Sequence, residues 1–279
     1  MGAKTKIDWC DASWNPVTGC LHGCEYCYAR RIAERFGGKQ IPVFVDYPVL
    51  REPIISNGKV QPYPFDFAPT FHRYRLEEPK KWKKPRNIFV CSMSDLCGNW
   101  VSEEWKQDVI AACKEAPQHR YLFLTKNPYG YNIWPIDGKQ VEHRFDQDNF
   151  WLGCSITGAE DLSRYDGNYE RYLYTMSGNM IPGKAHRFIS IEPILTDVTK
   201  SLMLNMDAFN SRYAGHIEWV IIGAETGNRK GKVIPEKEWI EDVVWLCRNH
   251  GTKVFMKESL RGIMGDDFIQ EFPWNKEEA

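Results

Sequence analysis

Seven short apolar runs punctuate the chain, each rich in Val, Ile, Leu and Phe and closed by polar or glycine positions. That is the pattern of strands buried on both faces. They cover 15–18 (the weakest), 87–91, 120–124, 150–154, 186–191, 219–222 and 253–256. Helical spacing fills several of the gaps. One helix is predicted over 29–36. Ser102 opens another, with Glu103 and Glu104 in its first turn and Trp105, Val109, Ile110 and Cys113 at helical spacing, an N-capped amphipathic pattern. Pro235-Glu236 opens a third, with Trp239, Ile240, Val243, Val244 and Leu246 on its apolar side and Gly251 as its stop. Strands alternating with helices imply a parallel sheet joined by right-handed crossovers. The alternation predicts a full or partial (β/α) barrel of six to seven parallel strands. No Gly-x-Gly-x-x-Gly follows any of the runs, which disfavours an open dinucleotide-binding sheet.

Two stretches break the alternation. Residues 37–86 carry eight of the sixteen prolines, and 127–149 is polar with Pro, Gly and aromatics. Loops this long inside a compact domain usually carry function as lids or binding segments. Both are expected as insertions into one domain spanning 1–279.

Composition narrows the class of protein. With 279 residues, 43% of them hydrophobic, the chain can bury a large core without disulfides. Lys plus Arg number 36 and Asp plus Glu 37, so the net charge of -1 exerts no global pull on nucleic acid or membrane. No apolar run approaches the roughly 18–20 residues of a membrane helix, and the amino terminus lacks a signal-peptide core. A cytoplasmic location without membrane association is the expectation. Nine cysteines is an odd, scattered count, which argues for reduced thiols, most of them small buried hydrophobes.

One cysteine group is not scattered. Cys20-Leu21-His22-Gly23-Cys24-Glu25-Tyr26-Cys27 packs three thiols into eight residues between a strand run and a helix. Structural zinc usually takes four protein ligands, commonly as two separated pairs, and no second pair stands at metal spacing elsewhere. Three thiolates on a four-iron cluster leave one iron open for a cofactor or substrate. Polar residues that directly follow apolar runs form a second set of candidates, because the carboxyl ends of barrel strands make the catalytic face. Lys126, Glu192 and Glu225 are such residues, readable as a charged pocket or as salt bridges at the barrel rim.

The cysteine spacing, with an aromatic before the third cysteine, resembles the radical S-adenosyl-L-methionine (SAM) superfamily. That resemblance implies a [4Fe–4S] cluster on Cys20, Cys24 and Cys27, with SAM bound at the open iron and Tyr26 near the adenine. It places the methionine amino group at the turn Cys91-Ser92-Met93-Ser94-Asp95, where the family's Gly-Gly-Glu glycines are missing. Ser92, Ser94, Asp95 and Thr125 are therefore cofactor-binding candidates, with Ser155 toward the ribose and Lys126, Glu192 and Glu225 as catalytic candidates. A closer resemblance, to a phage-associated radical SAM family of unknown function, runs through 7–20, 82–86, 92–96, 124–126, 190–193 and 220–225, departing at Ala224 and by a shorter run before Cys24. The implied activity is reductive cleavage of SAM to a 5′-deoxyadenosyl radical, fed by a flavodoxin- or ferredoxin-type electron donor. Its substrate is left open. Basic and aromatic residues interleave in 71–75 and 80–86, which makes nucleic acid or a nucleotide a candidate substrate and a solvated basic face the alternative. The rival readings are a non-catalytic iron–sulfur electron-transfer protein and a zinc-binding nucleic-acid module.

Overall fold

The computed structural model of the chain describes residues 5–38, 46–132, 144–159, 161, 184–203, 206 and 217–274. In chain order its strands are β1 (Ala12–Trp14), β2 (Val17–Thr18), β3 (Val49–Leu50), β4 (Ile55–Ser56), β5 (Lys59–Val60), β6 (Thr70–His72), β7 (Asn87–Val90), β8 (Arg120–Thr125), β9 (Phe150–Ile156), β10 (His186–Ile191), β11 (Trp219–Ile222) and β12 (Lys253–Met256). Seven of these described strands form a parallel half-barrel in the order β1-β7-β8-β9-β10-β11-β12, the partial α/β barrel that the alternation predicts. The chain divides into two compact units: Met1–Lys6 with Cys10–Arg144, and Ile7–Trp9 with Phe145–Ala279.

In the first unit β7 lies between β1 and β8, with Ile88 in register with Ala12 and Tyr121. All four residues of β7 are buried, which is why the run reads as continuously apolar. Helix α1 (Tyr28–Phe36) follows the cysteine loop, and helix α2 (Glu103–Lys114) follows β7. Ser102 caps α2 by accepting the Trp105 N–H at 3.3 Å, and Trp105, Val109, Ile110 and Cys113 are its buried face, as predicted. The opening strand differs from expectation. The barrel begins at Ala12–Trp14, whereas Val17–Thr18 pairs with β6 in a separate three-stranded sheet. Three residues with Ser13 between two buried neighbours give too short an alternation to see, and Pro16 removes a ladder donor from the run that was visible. The long insertion is packed rather than loose where it meets this core: Phe71 stacks on Trp105 at 5.2 Å, and Trp14 Nε1 donates to Arg75 O at 2.8 Å. Of the insertion at 127–149, residues 127–132 and 144–149 are described and 133–143 lie outside the described residues.

In the second unit β9 to β12 pair in parallel, with Phe188 opposite Gly153 on one side and Trp219 on the other. Helix α3 (Lys237–Asn249) buries Ile240, Val243, Leu246 and Cys247, and Gly251 ends it at φ +68°. Trp9, Phe188 and Trp219 meet at ring-centroid distances of 5.8 to 6.4 Å, all three at most 2% exposed. At about 1.5–3 kcal/mol per buried side chain, this packing outweighs any single exposed ion pair at ~0–1 kcal/mol. Gly153 makes room for it, since a Cβ there would stand 2.3 Å from Phe188 Cζ. Gly153→Ala should therefore lower stability by about 1–3 kcal/mol through overpacking. Urea unfolding checks this: an unchanged midpoint would mean that the Phe188 ring can step aside. No helix among the described residues is long and apolar enough to cross a membrane.

Candidate active site

The three clustered thiols occupy the loop between β2 and α1, within the first unit. Gly19 enters this loop at φ +85° with its Cα pressed on the backbone of residue 68, where a Cβ would meet Ala68 O at 2.2 Å. Only glycine fits there. The Gly19 N–H donates to Met93 O at 2.9 Å and fastens the loop to the turn after β7. At the far end Cys27 is the N-cap of α1, its Sγ accepting the Arg30 N–H at 3.3 Å, while its own N–H donates to Cys24 O at 3.2 Å. All three thiols are free and half-buried. Burial pushes the Cys20 thiol up to about 12; Asp95, Cys24 and Cys27 push in the same direction, and a hydrogen bond from the His22 backbone opposes them. A thiol raised as far as that of Cys20 loses its proton near neutral pH only where a metal takes up the charge. Among the described residues no three Cys, His, Asp or Glu side chains converge as a single ion requires.

The turn after β7 holds the next candidates. Cys91 adopts φ +59°, a left-handed backbone that a residue with a Cβ rarely takes. The turn thus keeps a glycine-type backbone without the glycines whose absence the sequence showed. Ser92 Oγ donates to Asn15 Oδ1 at 3.1 Å and Ser94 Oγ to Gly19 O at 2.6 Å. Asp95 is 5% exposed, and its oxygens accept the N–H groups of Cys97 at 3.0 Å and Lys126 at 2.9 Å. Thr125 Oγ1, at the end of β8, accepts the Asn127 N–H at 2.8 Å. Lys126 Nζ lies 5.6 Å from the centroid of the Tyr26 ring, so these two candidates do meet.

The second unit holds the remaining candidates. Ser155 lies within β9, not after it, in register with Ser190 of β10. The Ser190 hydroxyl is buried without a hydrogen-bond partner. Both acids are paired. Glu192 binds Lys257 Nζ, and Gly223 leaves the space for them, since its Cβ would stand 3.0 Å from Lys257 and 3.1 Å from Glu192. Glu225, 3% exposed, takes Arg229 through both oxygens, at 2.6 Å from Nε and 2.7 Å from Nη2. That bidentate bond holds the Glu225 carboxyl below its ordinary range, against the opposing effect of burial. Sequence reading missed Lys257, Arg229 and His22. Lys257 directly follows β12 and obeys the same strand-end rule that singled out Lys126, so it was within reach; the other two are identified by contacts.

The parallel half-barrel is an α/β architecture also seen among solved structures. The chain is similar to spore photoproduct lyase complexed with dinucleoside spore photoproduct, with a TM-score of 0.56 at 10% identity, over 92% of this chain and 79% of that one. A cysteine-to-serine mutant of the same enzyme gives a TM-score of 0.56 at 12% identity over the same shares. A double mutant with bound AdoMet and dinucleoside spore photoproduct gives 0.55 at 10% identity, over 91% and 78%. At such identities the likeness is one of fold. No curated protein matches the chain. The chain belongs to the family described as a protein of unknown function (DUF5131), whose model matches residues 4–263.

Proposed function

We propose that the chain is a radical SAM enzyme, with Cys20, Cys24 and Cys27 holding a [4Fe–4S] cluster. The observation that carries this reading is the loop of three free, mutually interacting thiols, set on a fold shared with an AdoMet-bound lyase. The donor set fits a cluster, in which each thiolate takes a different iron. The chemistry such a group supplies when bound is one-electron cleavage of S-adenosyl-L-methionine to a 5′-deoxyadenosyl radical. The chain's own residues do the rest. Tyr26 and Lys126, whose side chains meet, wall the cofactor seat, and Ser92, Ser94, Asp95 and Thr125 shape its floor. Within the second unit Lys257 pairs with Glu192, and Arg229 holds Glu225 oriented and ionised after β11. The kinship with phage-associated radical SAM chains, the cytoplasmic setting and the flavodoxin- or ferredoxin-type donor belong to the same proposal. Anaerobic loading with iron and sulfide, then dithionite and SAM, tests it. Release of 5′-deoxyadenosine is expected. A loaded protein that leaves SAM intact would be an electron carrier, and a colourless zinc-bearing one a zinc module.

Nucleic acid is the substrate class we favour, because a protein of similar fold is seen complexed with a dinucleoside. The partners of the basic segment bear on this. Arg73 pairs with Glu104 at 2.9 Å and Asp108 at 2.7 Å, Lys80 with Glu115 at 3.1 Å, and Arg75 bonds Asn15 O and Pro62 O. Lys81, Lys83 and Lys84 are exposed, and the Arg86 guanidinium covers the Trp82 ring at 5.0 Å. Arg86 also leads into the amino end of β7, opposite the end that bears Cys91–Asp95, so the cations at 81–86 lie toward the far end of that strand. They would grip a polymer's backbone at a distance from the chemistry. Lys→Ala at 81, 83 and 84 together should weaken single-stranded DNA binding and flatten its salt dependence by up to about 0.7 log–log units per lost contact. Fluorescence titrations at two salt concentrations read this; an unchanged slope would return the substrate to small molecules or peptides.

A further inference from the structure

We propose, given the cluster reading of the loop, that His22 is a positioning residue which holds the segment between Cys20 and Cys24 in place through its bond to Asp95. His22 stands midway between Cys20 and Cys24. Its Nε2–H reaches Asp95 Oδ2 at 2.7 Å, across 73 residues of sequence, and its ring meets Trp100 edge-on at 4.8 Å. Asp95 is a rigid anchor: Oδ1 accepts the Cys97 N–H and Oδ2 the Lys126 N–H, so the carboxylate is tied to the segments that follow β7 and β8. The loop hangs on that anchor through one side chain. His22 lies two residues from Cys20 and two from Cys24, so the grip on Asp95 fixes the backbone that carries both thiols.

Groups that orient ligands govern how firmly metal is held and tune the metal they hold. His22, gripping Asp95, is such a group for this loop. Asp95 acts on the loop through His22. Its two oxygens have these three bonds to make, which accounts for a carboxylate at this turn without a direct bond to the cofactor.

Three proteins test the proposal: unaltered, His22→Ala, and His22→Gln, whose amide N–H can reach Asp95 from a similar position. In the iron-free state, amide hydrogen exchange across 20–27 should speed up on the order of 10-fold in His22→Ala and stay near the unaltered rate in His22→Gln. After loading, His22→Ala should lose iron to a chelator about 10-fold faster and show a displaced midpoint potential, with both restored by glutamine. Exchange, iron retention and potential all unmoved by alanine would overturn the proposal, as would glutamine behaving like alanine. Failure of the unaltered protein to take up iron would sink the cluster reading instead, while exchange in the iron-free protein still decides the role of His22.

Discussion

Alanine at Cys20, Cys24 or Cys27 should each reduce the iron of anaerobically loaded protein from about four per chain to below about one, and abolish 5′-deoxyadenosine formation with it. Loss of one of three thiolates strips an iron of its protein ligand, and a corner of the cluster then opens to solvent. The other six cysteines give the contrast. Cys91, Cys97, Cys113, Cys154 and Cys247 are buried, and burial pushes the Cys91 and Cys247 thiols up to about 12 and those of Cys97 and Cys113 well above their ordinary value. These five act as small hydrophobes because the core encloses them, whereas Cys20, raised as far, is half-buried beside Cys24 and Cys27 in one loop. Changing Cys97 or Cys113 to alanine should therefore lower stability and leave iron content intact. Cys10, half-exposed, should tolerate the change with neither effect. Iron and sulfide analysis on the nine variants reads the difference. An iron requirement at Cys10 or at any buried cysteine would remove the case for an open iron.

The contrast between those two cysteine classes was visible in the sequence because spacing is a local property. So were the barrel strands from Asn87 onward, whose burial on both faces removes polar interruptions, and α2, whose cap and first-turn acids lie beside its apolar face. Partnership over distance was not visible. Asp95 reads as a strand-end acid, and nothing near it announces His22, 73 positions earlier. Glu192 and Lys257 stand 65 apart, joined only because β10, β11 and β12 lie side by side. The two-residue strands β2 and β3, which place the insertion against the first unit's core, are shorter than any periodicity. Side-chain bonds of this kind decide whether a candidate residue is free to act, and for Ser92, Ser94, Asp95 and Glu225 they show how far each already serves the fold.

Glu225 shows how large such service can be. Removing one partner of a buried ion pair leaves the other charge without compensation, at 3–5 kcal/mol; Arg229 keeps 23% of its side chain exposed, which places the loss at the lower end. Glu225→Gln should thus destabilise the protein by about 3 kcal/mol, a fall in Tm of roughly 6–10 °C. Arg229→Met should do at least as much by stranding the carboxylate, and the double variant should be milder than the sum of the two. The pH dependence has a fixed sign. Folding depresses the Glu225 carboxyl below its ordinary 4.5, so the pair's contribution is complete above that value and disappears as pH falls through the lower, folded pKa. The gap between unaltered and Glu225→Gln protein should be full at pH 7 and close in acid. A carboxyl held this way stays ionised at neutral pH and serves as a fixed negative charge or hydrogen-bond acceptor, not as a proton donor. Thermal unfolding of the three variants at several pH values measures all of this, and a gap that is small or indifferent to pH would free Glu225 for acid catalysis.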